Sequence, residues 1–310
     1  MRLLRRRLAQ TVPTMFGALV LVFIVMRVLP GDPAISLLGT AATPDAVAAL
    51  RRELGVDRSL PAQFATYLLG IVRLDLGQSL ALRAPVSQLV ADALPHTVAL
   101  TLGGTLVATA IGVPFGTAAA LRRGSSLDYL ASTGALLGVS VPVFVWGLLL
   151  LLAFSLNWRL FPSAGAGANP VDGLRALVLP SVATGFFLAG VVSRITRASV
   201  LQVLAQDYAR TARAKGLAET AIVGRHVLRN ALIPILTVIG LNIGTLLSGA
   251  VVAETIFTRP GIGRLALEAI MARDYPVIQG VVIISVFAVL MLNLVVDLLY
   301  GLADPRVRTA

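Results

Sequence analysis

The stretch Tyr208-Ala-Arg-Thr-Ala-Arg-Ala-Lys-Gly216, followed by Arg225-His-Val-Leu-Arg-Asn-Ala-Leu-Ile-Pro234, decides how the rest of the chain is interpreted. It is polar and helix-forming, and it lies between two apolar segments of membrane length. Gly216 interrupts the helical pattern, because glycine readily adopts the positive φ that ends a helix. We therefore predict two short helices that meet at an angle and form a compact projection for a soluble partner. A solvated basic loop that only fixes membrane topology is the alternative.

Composition predicts an integral membrane protein. The chain has 310 residues, of which 57% are hydrophobic and 13% charged, and its mean hydropathy is +0.87, whereas soluble domains carry about 25% charged residues. The net charge is +11, but the basic residues flank apolar segments, which indicates topology rather than nucleic-acid binding. The absence of cysteine excludes disulfides and thiol chemistry. Lys215 is the only lysine and no Walker A motif surrounds it, so ATP would have to bind another chain.

Six apolar segments are each long enough to cross about 30 Å of hydrocarbon, at about 8–29, 97–121, 129–156, 177–195, 232–253 and 277–300. The first is too long for a signal peptide, so we predict a retained helix. Six spans place both termini on one side, which carries fifteen basic and four acidic residues against eleven and ten on the other. The positive-inside rule predicts that both termini and the 194–231 loop are cytoplasmic.

Residues 30–94 form a predicted extracytoplasmic insert of short amphipathic helices. Thr43 and Pro44 form an N-cap and first helical position, and Gly55 ends that run. Pro61 opens a second run to Leu69, and Pro85 opens a third that stops before Pro95. We predict two parts, residues 1–94 with the first span and the insert, and residues 95–310 with five spans and a coupling loop at about 200–232.

The loop resembles the EAA loop of permease subunits in ATP-binding-cassette importers, within the dipeptide/oligopeptide/nickel permease family. Arg210-Thr-Ala212 stands where most importers have Glu-Ala-Ala, and the peptide branch makes the same change. Further segments of the family pattern follow in order along nearly the whole chain: Pro30-Gly-Asp-Pro33, Leu54-Gly-Val-Asp-Arg-Ser-Leu-Pro-Ala-Gln63, Leu74-Asp-Leu-Gly-Gln-Ser79, Glu254-Thr-Ile-Phe-Thr-Arg-Pro-Gly-Ile-Gly263, Arg273-Asp-Tyr-Pro276 and Asp304-Pro-Arg306. The insert resembles that of the "B"-type permease of the pair.

The resemblance implies an all-α permease of the type I importer fold, in the inner membrane of a bacterium or archaeon, forming half of a heterodimeric channel for di- or oligopeptides. It implies a second permease subunit, two ATPase subunits that bind ATP and Mg²⁺, and an extracytoplasmic substrate-binding protein. This chain would then perform no bond chemistry and hold no cofactor or metal. The loop residues implied in ATPase docking are Asp207, Tyr208, Arg210, Thr211, Ala212, Arg213, Lys215, Gly216, Leu217, His226, Arg229 and Asn230.

Other cargoes and other classes of protein stay open at this point. Nickel chelates, oligosaccharides or another peptide-sized solute fit the same machine. A stand-alone secondary transporter is disfavoured because the spans lack a relay of titratable groups, and a membrane-embedded enzyme because no catalytic cluster can be assembled. His96 and His226 lack partners at metal-ligand spacing, so capping or packing is the favoured role for both.

Two further sets of residues are candidates for the transport route. A break after the fifth span, followed by a predicted half-helix at 264–272, resembles an external gate, although an ordinary interfacial loop has the same spacing; its residues are Glu254, Pro260, Gly261, Gly263, Arg273 and Asp274. Asn242, Thr245 and Ser248 give the fifth span a polar face that either lines the route or packs against another helix. Asp297 lies in the last span, where pairing at the membrane interface is favoured over a functional role.

Overall fold

The computed structural model describes residues 2–28, 35, 38, 43–53 and 55–303. These residues form helices and no extended sheet. In chain order the helices are α1 (Arg2–Val28), α2 (Pro44–Glu53), α3 (Leu60–Val72), α4 (Val86–Leu121), α5 (Ser126–Ser140), α6 (Val143–Leu150), α7 (Pro170–Leu204), α8 (Asp207–Ala214), α9 (Glu219–Ala221), α10 (Leu228–Ile256), α11 (Ile262–Met271) and α12 (Tyr275–Ala303). Two π-helical turns, Leu151–Asn157 and Ile222–Val227, extend α6 and join α9 to α10.

The chain divides into two packing units, one of residues 1–95 and 264–290 and the other of residues 96–263 and 291–310. The first contains the insert, and its short helices form as the sequence predicts. Thr43 accepts a hydrogen bond from the Ala46 amide at 3.3 Å and caps α2, while Gly55 follows that helix with a φ of 67°. Within this unit α3 packs against α1, with the Phe23 and Phe64 rings 5.1 Å apart. The prediction of two parts divided at residue 94 stays a prediction.

Helix α7 forms the centre of the second unit and packs most extensively against α10 and α5. Its residues Leu188, Val192 and Val200 are fully buried in the main apolar cluster. Helix α4 approaches α7 so closely that a Cβ on Gly116 would clash with the Ser193 carbonyl. Small residues permit such an approach between membrane helices, where dispersion contacts replace the hydrophobic effect as the driving force.

The predicted third span, 129–156, is wrong as a single helix. The chain bends by 105° between α5 and α6. Val141 is extended, with φ −86° and ψ 123°, and Pro142 begins the next segment. Proline disfavours the helical conformation of the residue before it, so the break lies where the local chemistry requires it.

The predicted third insert helix is also wrong as a separate element, because α4 continues from Val86 through Pro95 into the second span. Of the described helices, α4, α7, the segment Glu219–Leu247 and the segment Tyr275–Val295 are long and apolar enough to cross a bilayer, and the bent α5–α6 pair is a fifth candidate. Within α1 the apolar portion Thr11–Val25 is shorter. The total of six spans therefore stays a prediction.

Candidate functional site

The polar loop that follows α7 forms a bent pair of helices, which we name the elbow (residues 207–221). Helix α7 ends at Leu204 and α8 begins at Asp207, so the first arm is a separate short helix. The second arm is also not a separate helix. It starts at Glu219 and continues through a π-helical turn into α10, so the elbow is joined directly to a candidate membrane span.

Gly216 makes the bend, as the sequence predicts. Its φ is +76°, and nothing lies within 4 Å of an added Cβ. The Gly216 amide donates to the Arg213 carbonyl at 2.9 Å, and the Leu217 amide donates to the Ala212 carbonyl at 3.3 Å. These two bonds form a Schellman motif, which satisfies the last carbonyls of α8 while the chain reverses its direction.

Helix α8 has one buried face and one exposed charged face. Ala209 and Ala212 are buried, and Ala212 belongs to the same apolar cluster as Ile222 and Val227 of the second arm. Alanine permits the two arms to approach closely because it has almost no side chain to displace. Ala212, a predicted docking residue, therefore packs inside this chain. The exposed face of α8 is formed by other residues, among them Arg210 and Arg213.

Polar contacts also join the two arms. Arg213 donates from Nε to Glu219 Oε1 at 2.6 Å across the bend, and this hydrogen bond raises the pKa of Arg213. Asn230 donates from Nδ2 to the Tyr208 hydroxyl at 3.2 Å and to the His226 carbonyl at 2.7 Å. The bend is thus fixed by apolar packing on the inside and by hydrogen bonds at its surface.

The structure brings the predicted docking residues together on consecutive elements. His226 is half-buried, while the other members apart from Ala212 are exposed: Asp207, Tyr208, Arg210, Thr211, Arg213, Lys215, Gly216, Leu217, Arg229 and Asn230. The exposed surface combines positive side chains with the apolar Leu217 and the half-exposed Tyr208 ring. Such a surface suits an acidic groove with an apolar floor.

A second site surrounds Glu254, and we name it the Glu254 cluster (Thr97, Glu254, Arg259, Gly261, Ile262 and Gly263). The Thr97 hydroxyl donates to Glu254 Oε1 at 2.5 Å and accepts from the Ile262 amide at 2.8 Å. The Gly263 amide donates to Glu254 Oε2 at 2.8 Å. Glu254 is fully buried, and a Cβ on Gly261 would overlap its carboxyl group. The carboxyl group therefore holds the turn after α10 against α4.

Arg259 occupies the same cluster with only 3% of its surface exposed. Its Nε and Nη1 atoms have no hydrogen-bond partner, and within the described residues no acidic oxygen forms an ion pair with it. Burial lowers the pKa of the Arg259 guanidinium, and the Glu254 carboxylate opposes that shift only in part. Sequence reasoning missed both Arg259 and Thr97, because neither has a local pattern that sets it apart.

The remaining predicted gate residues lie in different surroundings. In the first unit, Asp274 is buried and accepts hydrogen bonds from the Ser79 hydroxyl at 2.6 Å and from the Ala81 amide at 3.0 Å. It also caps α12, since the Val277 amide donates to its Oδ1 at 3.4 Å. Arg273 and Pro260 are exposed. The predicted half-helix at 264–272 is present as α11, with slightly earlier bounds.

Asn242 and Thr245 of the fifth span lie in different surroundings. Asn242 donates to the Val238 carbonyl of its own helix at 2.8 Å. Thr245 instead lines a cavity of about 470 Å³ with Leu246 and Gly249, opposite Thr184 of α7 and the bend between α5 and α6. Ser248 and Asp297 lie in α10 and α12, but their side chains are outside the described part of the structure.

Comparisons with known proteins identify the class. The family of binding-protein-dependent transport system inner membrane components matches residues 112–309, and the N-terminal family of such membrane components matches residues 1–101. The chain is 39% identical over 330 residues to the dipeptide transport system permease protein of Escherichia coli K12, covering 98% of this chain and 97% of the relative. It is 40% identical over 327 residues to the di/tripeptide transport system permease protein of Pseudomonas aeruginosa, with 98% and 97% covered.

The fold is also found in a solved transporter. An inward-facing structure of the MetNI methionine ABC transporter aligns with a TM-score of 0.60 at 17% identity, covering 70% of this chain and 97% of the other. Within the described residues, no three histidine, cysteine or acidic side chains are grouped as metal ligands. With two family matches that together cover nearly the whole chain, the protein belongs to the family of binding-protein-dependent transport system inner membrane components.

Proposed function

We propose that this chain is one of the two permease subunits of an ATP-driven importer of di- and oligopeptides, and that the elbow is the part that an ATPase subunit grips. The observation that carries the proposal is the geometry of residues 207–221, a helix pair bent by a Schellman motif and continuous with a membrane-length helix. Force applied to the elbow passes directly into α10, because no flexible linker separates the two.

The proposed permease has two states, one open to the cytoplasm and one open to the outside. A permease that alternates between inward-open and outward-open states does no chemistry itself, and a partner can bias the states only by binding one of them better. ATP binds the partner ATPase subunits with Mg²⁺, and closure of the ATPase pair would favour one arrangement of the elbow. The charged face of α8 provides the differential contacts.

Several finer features belong to the same proposal. Six spans with cytoplasmic termini, a second homologous permease and a substrate-binding protein on the outer side are supported by the charge asymmetry and by the family. Thr245 and the cavity beside it would lie on the route, and the turn after α10 would serve as an external gate. Peptide cargo is supported by the names of the relatives.

Crosslinking tests the docking role directly. The natural chain has no cysteine, so Arg210→Cys on α8 and Arg225→Cys on the second arm each provide a single reactive site. Both should capture an ATPase subunit in membranes that contain the assembled complex, and capture should change when ATP is added. Arg175→Cys, on an exposed arginine near the start of α7, is the matched control and should capture none. If neither Arg210→Cys nor Arg225→Cys ever captures an ATPase subunit, the docking role is refuted.

Reconstitution separates the importer from a stand-alone carrier. The binding protein is placed on the side of the liposome membrane that corresponds to the outside of the cell. The complete complex should then transport radiolabelled alanyl-alanine only when ATP is present on the opposite side. The chain alone should transport nothing, and uptake driven by a proton or sodium gradient would favour the carrier. A panel of dipeptides, a nickel chelate and an oligosaccharide then separates the cargoes, since only one class should compete with the labelled dipeptide.

A further inference from the structure

Among the buried polar groups that lack a hydrogen-bond partner in the described residues, the guanidinium of Arg259 is the one that carries a charge. Only 3% of the Arg259 residue is exposed, and two of its side-chain nitrogens have no acceptor. A buried donor without a partner loses its hydration with nothing in exchange, and the penalty is larger for a charged group. A merely structural residue at this position would be expected to be apolar or to be paired.

Glu254 attracts Arg259 electrostatically, but its carboxylate also accepts from other donors, the Thr97 hydroxyl on Oε1 and the Gly263 amide on Oε2. The Nε and Nη1 atoms of Arg259 have no hydrogen-bond partner. The other titratable neighbour, His96, carries no negative charge in either protonation state. Attraction from Glu254 therefore reduces the cost of burying the guanidinium without removing it, as the lowered pKa of Arg259 also indicates.

The residue before Arg259 adds an independent cost. Thr258 has a φ of 50°, in the left-handed region that β-branched residues rarely adopt. Such a conformation is strained and persists only where the surrounding structure enforces it. Here the enforcing contacts are those of Glu254, whose own carbonyl also accepts from the Arg259 amide at 2.8 Å.

The turn after α10 therefore combines strong contacts at Glu254 with a strained Thr258 and an incompletely compensated Arg259. The contacts of Glu254 favour the closed turn, whereas the strain at Thr258 and the burial of Arg259 oppose it. Such opposing contributions bring the closed and open arrangements of the turn close in free energy. If the turn separates from α4, the Glu254 contacts are lost, but the guanidinium gains water and the Thr258 backbone relaxes. The free-energy difference that favours the closed cluster is therefore smaller than its hydrogen bonds alone would give.

We propose that Arg259 is a positioning residue for transport, whose buried and unpartnered guanidinium destabilises the closed Glu254 cluster so that the turn after α10 can open during the transport cycle. This inference rests on the proposed importer function for its role in transport, but its effect on the closed cluster is independent of that function. Arg259 acts through Glu254 and Thr97, and contact with the cargo is not required.

The test replaces Arg259 with methionine, which keeps the length of the side chain and removes its charge. Replacing buried ionic groups by apolar residues of similar volume often stabilises a protein. In the assembled complex, the Ile262 and Gly263 amides, which donate to Thr97 and Glu254, should exchange with deuterium about tenfold more slowly in Arg259→Met than in the natural protein. ATP-driven uptake of radiolabelled alanyl-alanine should slow by a similar factor, with an unchanged KM for the loaded binding protein.

Arg175→Met is the matched control, because it removes the same charge from an exposed position near the start of α7. It should change neither amide exchange nor uptake. Faster exchange in Arg259→Met, or failure of the variant to assemble, would mean that Arg259 stabilises Glu254 as its counter-ion, and the proposal would be overturned. Unchanged exchange would overturn it as well. Slower exchange with normal uptake would show that the cluster does not open during transport.

Failure of the importer function gives a different result. If the natural complex takes up no alanyl-alanine with ATP, the cargo or the energy source is wrong, while the exchange measurement still reports whether Arg259 destabilises the closed cluster.

Discussion

The elbow and the Glu254 cluster lie in the same packing unit but use charge in opposite ways. In the elbow the charged groups are exposed, and the Arg213–Glu219 pair is 41% and 58% exposed. In the cluster Glu254 and Arg259 are almost completely buried. The exposed charges of the elbow can exchange partners at little cost in free energy. The buried Glu254 joins the turn after α10 to α4, so its contacts cost more free energy to break.

The two regions also differ in how far apart their contacts lie along the chain. The Schellman motif joins residues five apart, from Ala212 to Leu217. The Thr97–Glu254 hydrogen bond joins residues 157 apart. The proposed docking surface can therefore form from local contacts, while the contact between α4 and the turn after α10 requires the folded bundle.

The largest expected effect is that of Glu254→Ala. The change leaves the Thr97 hydroxyl and the Gly263 amide without an acceptor and leaves Arg259 with no nearby negative charge. Each buried donor that is left without an acceptor costs about 1–3 kcal/mol, and two donors lose their acceptor here. The thermal midpoint of the assembled complex should fall sharply or the complex should fail to assemble, as measured by fluorescence size-exclusion chromatography.

Glu268→Ala is the control for that variant, since the Glu268 side chain is 58% exposed and pairs with Arg264 on the surface of α11. It should leave the thermal midpoint nearly unchanged. Equal effects of the two variants would mean that burial of Glu254 contributes nothing.

Thr97→Val should have the next largest effect on stability. Valine has nearly the same shape as threonine, so the change removes only the hydroxyl that joins Glu254 to the Ile262 amide. Leaving buried partners unsatisfied costs about 1–3 kcal/mol. Thr105→Val on the same helix is the matched control, because the Thr105 hydroxyl bonds only to the Thr101 carbonyl of α4. If both variants unfold at the same temperature, the contact with Glu254 is not stabilising.

Gly216→Val tests the elbow in the same way. Valine in the left-handed region costs about 1–2 kcal/mol, so the two arms should no longer meet at their native angle. The complex should insert normally in the membrane and retain ATP hydrolysis, but uptake should become uncoupled from it. Gly216→Asn, which tolerates a positive φ, should restore much of the uptake. Normal uptake by the valine variant would refute the role of the bend.

The smallest expected effect belongs to the Arg213–Glu219 pair. An exposed ion pair contributes about 0.2–1 kcal/mol and is weakened by salt. Arg213→Gln and Glu219→Gln should each lower the thermal midpoint slightly, and a double-mutant cycle should give a coupling that decreases at high salt. A coupling as large as the effect of Glu254→Ala would contradict the distinction between the exposed and buried regions.

Particular residues show how far the sequence alone can predict this structure. Gly216 was identified because a positive φ has a local chemical signature, and Thr43 because an N-cap has one. The break at Pro142 has an equally local cause, but the length of the apolar run concealed it. The contact of Glu254 with Thr97 could not be predicted, since nothing in the local sequence distinguishes Thr97 from the other threonines of α4.

The sequence by itself determined that this is a helical membrane protein and where the elbow bends, and it predicts which side carries the positive charge. These features follow from composition, from charge near apolar segments and from backbone preferences of single residues, all of which act over a few positions. Only the tertiary structure decided that Ala212 is buried, that α4 continues through Pro95, and that Glu254 meets Thr97 while Arg259 stays unpartnered. Those outcomes depend on which helices approach each other, and long-range packing has no signature in any short stretch of sequence.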